Sequence, residues 1–229
     1  MLLSKPERPK LVAVIPAYNE AGHVGKVVKA SKAFVDEVLV VDDGSTDGTC
    51  LEASAAGARV FRHWVNRGVG GATATGLRAA LQSGADVIVT LDADGQHLPE
   101  EIPRVVAPVL NGTADVVIGC RLLNHKGMPL LRVVANRIAD ACTWLLFGVY
   151  LSDTQSGFRA YSRTAAQSID IRTSGMEVCS EIIVLAVRSG LRVAQVPITP
   201  VYTDYSLSKG QSFYNGIRTL AKLMLRRIL

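Results

Sequence analysis

At 229 residues, 48% hydrophobic and 20% charged, the chain is long enough for one well-buried domain and too short for two large ones. A formal charge of +5 and a pI near 9.1 suit an anionic partner such as a nucleotide, a phosphate or an acidic membrane surface. Nucleic acid is not the expected partner, because aromatics are sparse at 6% and no arginine-rich or zinc motif appears.

KLVAVIPAYN reads as a buried strand ending in a proline and a loop, with GHVGKVVKASKAF as the amphipathic helix after it. EVLVVDDGSTDGT repeats the plan, with Ser45, Thr46 and Asp47 as expected helix caps. ARVFRHW is a short strand and GGATATGLRAALQSG a small-residue helix entered through glycines. ADVIVTLDAD is another strand, followed by a helix starting near Pro99, and ADVVIGCR is another again. From about residue 122 the pattern changes to a long apolar helical stretch, PLLRVVANRIADACTWLLFGV. A polar loop DTQSGFRAYSR, an acidic helix GMEVCSEIIVLAVRSG, a strand LRVAQVPI and a basic tail helix complete the chain.

Strands alternating with helices predict an α/β fold with a mostly parallel central sheet covered on both faces. No Ser/Gly/Pro linker or internal repeat divides it. Ligands of such sheets bind at the carboxyl ends of the strands, and PAYNE, DDGSTD, DADGQ and GCR all fall there. The four cysteines, Cys50, Cys120, Cys142 and Cys179, form no C-x-x-C pair, so reduced buried thiols are expected. MLLSKPERPK lacks an apolar core of signal-peptide length, and no later segment reaches the uninterrupted apolar run of about 18 residues that a membrane span needs. The expected location is therefore cytoplasmic.

Asp92 and Asp94 are two apart, so on an extended backbone their side chains leave on one face. Two converging carboxylates suit Mg²⁺ or Mn²⁺, which also coordinate phosphates, and Gln96 could offer a third oxygen. The alternative is a solvated turn, since Asp and Gly favour one. Asp42, Asp43 and Asp47 form a second acidic cluster, where a carboxylate can accept hydrogen bonds from a base or ribose. NRGVGGATATG can bring backbone N–H groups close to phosphate. It has no GK[ST] and fails the dinucleotide spacing, so tight helix packing competes with that reading.

Taken in order, IPAYNE, VVDDGSTDGT, NRGVGGATATG, LDADGQH, DTQSGFRAYSR and YTDYSLSKGQ resemble the family-two inverting glycosyltransferases of GT-A fold, in the branch of the dolichol-phosphate mannose and glucose synthases. The resemblance runs from about residue 11 to about residue 217. It implies one catalytic domain with a nucleotide-sugar half (about 11–121), an acceptor half (about 122–217) and a basic amphipathic helix at 213–229. It places Pro16, Tyr18, Glu20, Asp42, Asp43, Gly70 and Ala93 around the nucleotide-sugar, and Asp92, Asp94 and Gln96 on Mg²⁺ or Mn²⁺ at the diphosphate. Arg121, Arg132 and Asn136 would meet the acceptor, and Lys209 would close over the diphosphate. The run before that lysine departs from many mannose synthases in carrying Tyr202, Asp204 and Tyr205.

The implied reaction moves a hexose from a GDP- or UDP-sugar to a polyprenyl phosphate. Such an acceptor is already largely anionic at neutral pH, with a second pKa of about 6, so arginines would orient it and no strong base is needed. A hydroxyl acceptor would need a carboxylate base, for which Asp153 is the best candidate; its alternative is a loop acid bonded to Arg159 or to backbone. In the tail, Arg218, Lys222, Arg226 and Arg227 interleave with Ile217, Leu220, Leu223 and Leu225, a pattern suited to an anionic interface or to a core-packed helix with a solvated face. The chain would then meet its lipid from the cytoplasmic membrane surface, with or without a separate membrane subunit. The rival readings are a transferase to hydroxyl acceptors in polysaccharide or glycolipid synthesis, and a non-catalytic nucleotide-sugar-binding accessory subunit.

Overall fold

A computed structural model of the protein describes residues 8–124, 133–134, 137–138, 140–141, 144–145, 148, 151–199 and 201. Apolar runs punctuated by polar turns produce β1 (Leu11–Ala17), β2 (Glu37–Asp42), β3 (Arg59–Arg62), β4 (Val87–Thr90) and β5 (Val116–Cys120). Between them lie α1 (Val24–Ser31), α2 (Thr49–Ala55), α3 (Gly68–Gln82) and α4 (Ile102–Leu110). A 3₁₀ turn over Pro99–Glu101 leads into α4, with proline at the first position, where no helical N–H is needed. Residues 133–134, 137–138, 140–141 and 144–145 are helical. After them come β6 (Arg159–Ser162), α5 (Arg163–Ser168), α6 (Val178–Arg188) and β7 (Val193–Pro197).

The strands form one seven-stranded sheet in the order β3-β2-β1-β4-β6-β5-β7. Every pairing is parallel except those of β6, which runs antiparallel to both β4 and β5. The segment DTQSGFRAYSR is thus not wholly a loop. RAYS is a strand, with Val89 opposite Ala160 and Val117 opposite Ala160 on its other side. The helical stretch before it separates β5 from β6 in sequence, and β6 returns to fill the gap between β4 and β5. Strands from both sides of residue 121 share the sheet.

Alternation along β1 shows how the sheet is covered. Ala13, Ile15 and Ala17 face a core shared with Val24, Val27, Val28, Ile102, Val105 and Val106 of α1 and α4. Val12 and Val14 face Leu77, Ala80, Ala165, Val178 and Ile182 of α3, α5 and α6. Both faces are dry, which is why the strands read as continuous apolar runs rather than alternating ones. The expected caps of the second helix are reassigned: Gly48 is the N-cap of α2 and offers no side chain. Asp47 accepts instead from the N–H groups of Thr49 and Ala21, and Ser45 Oγ accepts the N–H of Asn19.

Candidate active site

The sheet order sets β2, β1 and β4 side by side, so their carboxyl ends put PAYNE, DDGSTD and DADGQ along one edge. The first two loops are laced together. Asn19 Oδ1 accepts the N–H of Thr46, Thr49 Oγ1 accepts the N–H of Glu20, and the Asp43 N–H donates to the Ala17 carbonyl. Pro16 lies within β1, and Tyr18 just beyond it is 45% exposed at the rim.

The two acids at the carboxyl end of β2, Asp42 and the following Asp43, have different surroundings. Asp42 is fully buried; it accepts the Ser45 N–H and lies 3.3 Å from the Arg62 guanidinium. Asp43, also buried, takes the Arg67 N–H at 2.9 Å and stands 2.6 Å from His63 Nδ1, while His63 Nε2 meets Thr75 Oγ1 at 3.0 Å. His63 thus anchors Asp43 to α3, a contact across twenty residues that no local motif signals.

Gly70 packs against another loop of the chain. Its N–H donates to the Ser174 carbonyl, and a Cβ there would stand 2.0 Å from the Thr173 oxygen. Close approach to the 173–174 backbone requires glycine here. Glu181 shapes that backbone by accepting from the N–H groups of Arg172 and Thr173 and from Thr173 Oγ1.

β4 stops at Thr90, so Asp92 and Asp94 do not share an extended strand. They converge through a turn that Gly95 completes at φ +78°. Ala93 between them is buried, and Gln96 folds back so that both its N–H and its side-chain amide donate to Asp94. Asp92 keeps 46% of its side-chain surface accessible, yet protein walls the recess around it. Desolvation there raises its pKa, against the pull of Arg121 and Arg159. Asp94 is raised too, first by desolvation and then by the charge of Asp92.

His97, unassigned from sequence, supports this turn. Its buried ring packs on Phe158 with centroids 5.1 Å apart, and Nδ1 accepts the Asp92 N–H at 3.2 Å. That bond assigns the neutral ring's proton to Nε2, which has no hydrogen-bond partner among the described residues. Burial, with help from the Arg121 charge, holds the imidazole pKa down at about 4, so the ring is neutral at pH 7. Gly157 closes the back of the site: a Cβ there would lie 2.4 Å from Asp92 Oδ1. Thr90 Oγ1 donates to the Gly157 carbonyl, so the end of β4 and the start of β6 are fastened at this point.

On the other side, Arg121 follows β5 and is clamped by Asp153. One carboxylate oxygen accepts the Arg121 N–H at 2.7 Å and Nε at 2.9 Å, and the other accepts Nη2 at 2.6 Å. Asp153 is fully buried. Both its oxygens are engaged by Arg121, and no part of it is exposed. Arg159 does not pair with it; that guanidinium donates to the Ser156 and Thr154 carbonyls. Arg132, Asn136, Lys209 and the helix expected at 213–229 lie outside the described residues.

The donor set fits a divalent ion in one respect that can be checked. Two carboxylates disfavoured by desolvation, one also by its neighbour's charge, gain most from a cation set between them. Among the described residues no three His, Cys, Asp or Glu side chains gather as a metal cluster. The chain thus offers a partial shell, as Mg²⁺ sites completed by substrate phosphates do.

Known proteins resemble the chain in sequence and in fold. Glycosyl transferase family 2 matches residues 12–169. The UDP-N-acetylglucosamine–dolichyl-phosphate N-acetylglucosaminyltransferase of Methanococcus voltae is 37% identical over 94% of this chain and 95% of its own. The undecaprenyl-phosphate mannosyltransferase of Micrococcus luteus is 34% identical over 87% of each. Glucosyl-3-phosphoglycerate synthase from Mycobacterium tuberculosis, crystallised with Mn²⁺, UDP-glucose and phosphoglyceric acid, superposes with a TM-score of 0.73 at 26% identity, covering 96% of this chain and 79% of that one. With a GT-A sheet, its polar loops at the carboxyl edge and these relatives, the chain belongs to glycosyl transferase family 2 and is a glycosyltransferase.

Proposed function

We propose that the chain transfers a hexose, with inversion, from a nucleotide diphosphate sugar to a polyprenyl phosphate at a membrane surface. The observation that carries this reading is that one backbone segment joins the two sides: Gly157 lies against Asp92, and the carbonyl of Phe158 accepts the N–H of Gly119, two residues before Arg121. A donor-side acid and an acceptor-side arginine thus flank the start of β6. Relatives named for dolichyl and undecaprenyl phosphate support the same acceptor.

Tyr18 and Asp43 line the nucleotide side, and Asp92, Asp94 and Gln96 would hold Mg²⁺ or Mn²⁺. That ion, when bound, neutralises the charge developing on the leaving diphosphate. Arg121, fixed by Asp153, orients the acceptor phosphate with its planar fork. With Asp153 engaged by Arg121, a nucleophile that is already anionic, as a phosphate is, suits the site better than a hydroxyl. Val134, Ile138 and Leu145 project exposed apolar side chains at helical spacing, which supports a peripheral approach to lipid. Among the described residues no helix is long and apolar enough to cross a membrane.

The test supplies labelled GDP-mannose, UDP-glucose or UDP-N-acetylglucosamine with polyprenyl phosphate and Mg²⁺ or Mn²⁺. Radioactivity should enter the organic phase with one donor and vanish with chelator or with Asp94→Ala. No lipid product from any donor overturns the acceptor assignment, and undiminished turnover by Asp94→Ala overturns the metal assignment.

A further inference from the structure

Asp153 holds Arg121 from an unusual backbone. Its φ is +54°, a left-handed conformation that among the described non-glycine residues only Asn19 shares. Aspartate visits this region only as a single residue held there by local hydrogen bonds. What enforces it is one carboxylate. Asp140 accepts the Asp153 N–H through Oδ2 at 2.8 Å, and through Oδ1 both the Thr154 N–H and the Thr154 hydroxyl at 2.8 Å each. Successive N–H groups on a turn containing a left-handed residue form a concavity that binds anions, and here the anion is built into the chain.

The geometry extends past that turn. Asp153 and Thr154 are fully buried, so water cannot replace Asp140 as their acceptor. The Ser156 N–H closes the turn on the Asp153 carbonyl at 3.1 Å; the next residue, Gly157, lies against Asp92, and β6 starts at Arg159. Asp140 belongs to the helical residues between 133 and 145, outside the β5 and β6 framework. Through these bonds Asp140 holds the turn from which Asp153 reaches Arg121.

We propose that Asp140 is a positioning residue for the acceptor phosphate, acting through the Asp153 turn on Arg121; this rests on the polyprenyl-phosphate reading above. Asp140→Asn keeps the shape but turns one acceptor oxygen into a donor facing an N–H. Asp153 should then leave its left-handed conformation and release the clamp on Arg121.

The experiment measures sugar transfer by the full chain with acceptor and donor varied separately, and calorimetric binding of geranyl phosphate as a short acceptor probe. Asp140→Asn should raise the acceptor KM and the geranyl phosphate Kd by about tenfold or more, the scale of one lost hydrogen bond to a charged group. Its donor KM should stay within about twofold of wild type, a split that general loosening of the fold would not produce. Thr154→Val removes one of the three bonds without touching charge and should give a smaller rise in the same two quantities. Acceptor constants unchanged in both variants, or donor and acceptor KM rising together, would overturn the proposal. If Asp140→Asn does not fold, Thr154→Val alone decides by the same split. A wild type that binds geranyl phosphate yet transfers no sugar to lipid sinks only the transfer reading, and the Kd values then judge Asp140. A wild type that does neither overturns both.

Discussion

Replacing Gly157 by alanine should damage the chemistry while sparing the fold. The new Cβ would lie 2.4 Å from Asp92 Oδ1 and 3.1 Å from its Cγ and Oδ2. Ordinary carbon–oxygen contact is about 3.4 Å, so the carboxylate must retreat by roughly 1 Å. It has somewhere to go, because 46% of the Asp92 side chain is accessible and Gly157 carries no positive φ that alanine would resist. The structural cost is then an off-rotamer aspartate, about 1 kcal/mol, which shifts Tm by some 2–4 °C in a chain of this size. A misplacement of about 1 Å at a reacting centre, by contrast, costs on the order of a hundredfold in rate. Steady-state turnover should fall by that factor, with the Mg²⁺ or Mn²⁺ concentration needed for half-maximal activity rising. Scanning fluorimetry should meanwhile find the fold intact, and Gly157→Ala should add nothing further in an Asp92→Ala background. Wild-type turnover and metal dependence in the single variant would refute the contact between Gly157 and Asp92 as a control on the site.

Gly70→Ala should behave in the opposite way. Its Cβ would meet the Thr173 carbonyl oxygen at 2.0 Å and carbon at 2.8 Å, both backbone atoms that cannot swing aside. A loss of about 2 kcal/mol or more is expected in urea unfolding; a weaker donor KM with unchanged stability would instead restore the phosphate-loop reading. His97 gives a pH signature. Its folded pKa of about 4 lies below the unfolded value of 6.5, so between those values the unfolded chain binds the extra proton and stability falls as pH drops. Linkage puts the loss between pH 7 and pH 5 at about 2 kcal/mol, while the raised carboxylates Asp92 and Asp94 push the other way. Comparison with His97→Gln isolates the effect, because the variant should lose less stability over the same range; parallel pH profiles would show that the ring is not buried neutral.

How far the sequence could be read depended on whether a signal was local. Turn residues at the ends of apolar runs marked Asp43, Asp92, Asp94 and Arg121, because polar chemistry at a strand end is written within a few residues. From sequence the role of Asp153 is open between base and structural acid, and the cation nearest along the chain is Arg159, six residues on. The true partner, Arg121, is thirty-two residues away, a distance over which no periodicity carries information. Gly70 was ambiguous for the same reason, since phosphate and the 173–174 backbone both call for an absent side chain. His63, Gly157 and Asp140 act only through residues brought to them by the fold; a glycine just before a resumed strand was the sole hint for Gly157.

By itself the sequence determined the alternation of strands and helices, the dryness of both sheet faces and the edge at which the polar loops gather, since these follow from side-chain pattern and from where apolar runs stop. RAYS, too short to declare itself a strand and preceded by polar residues, became β6 only because β4 and β5 leave a gap whose unpaired N–H and carbonyl groups demand a partner. That insertion carries Gly157 against Asp92 and sets Asp153 against Arg121. The two halves of the site therefore meet through tertiary pairing, not through any motif that either half contains.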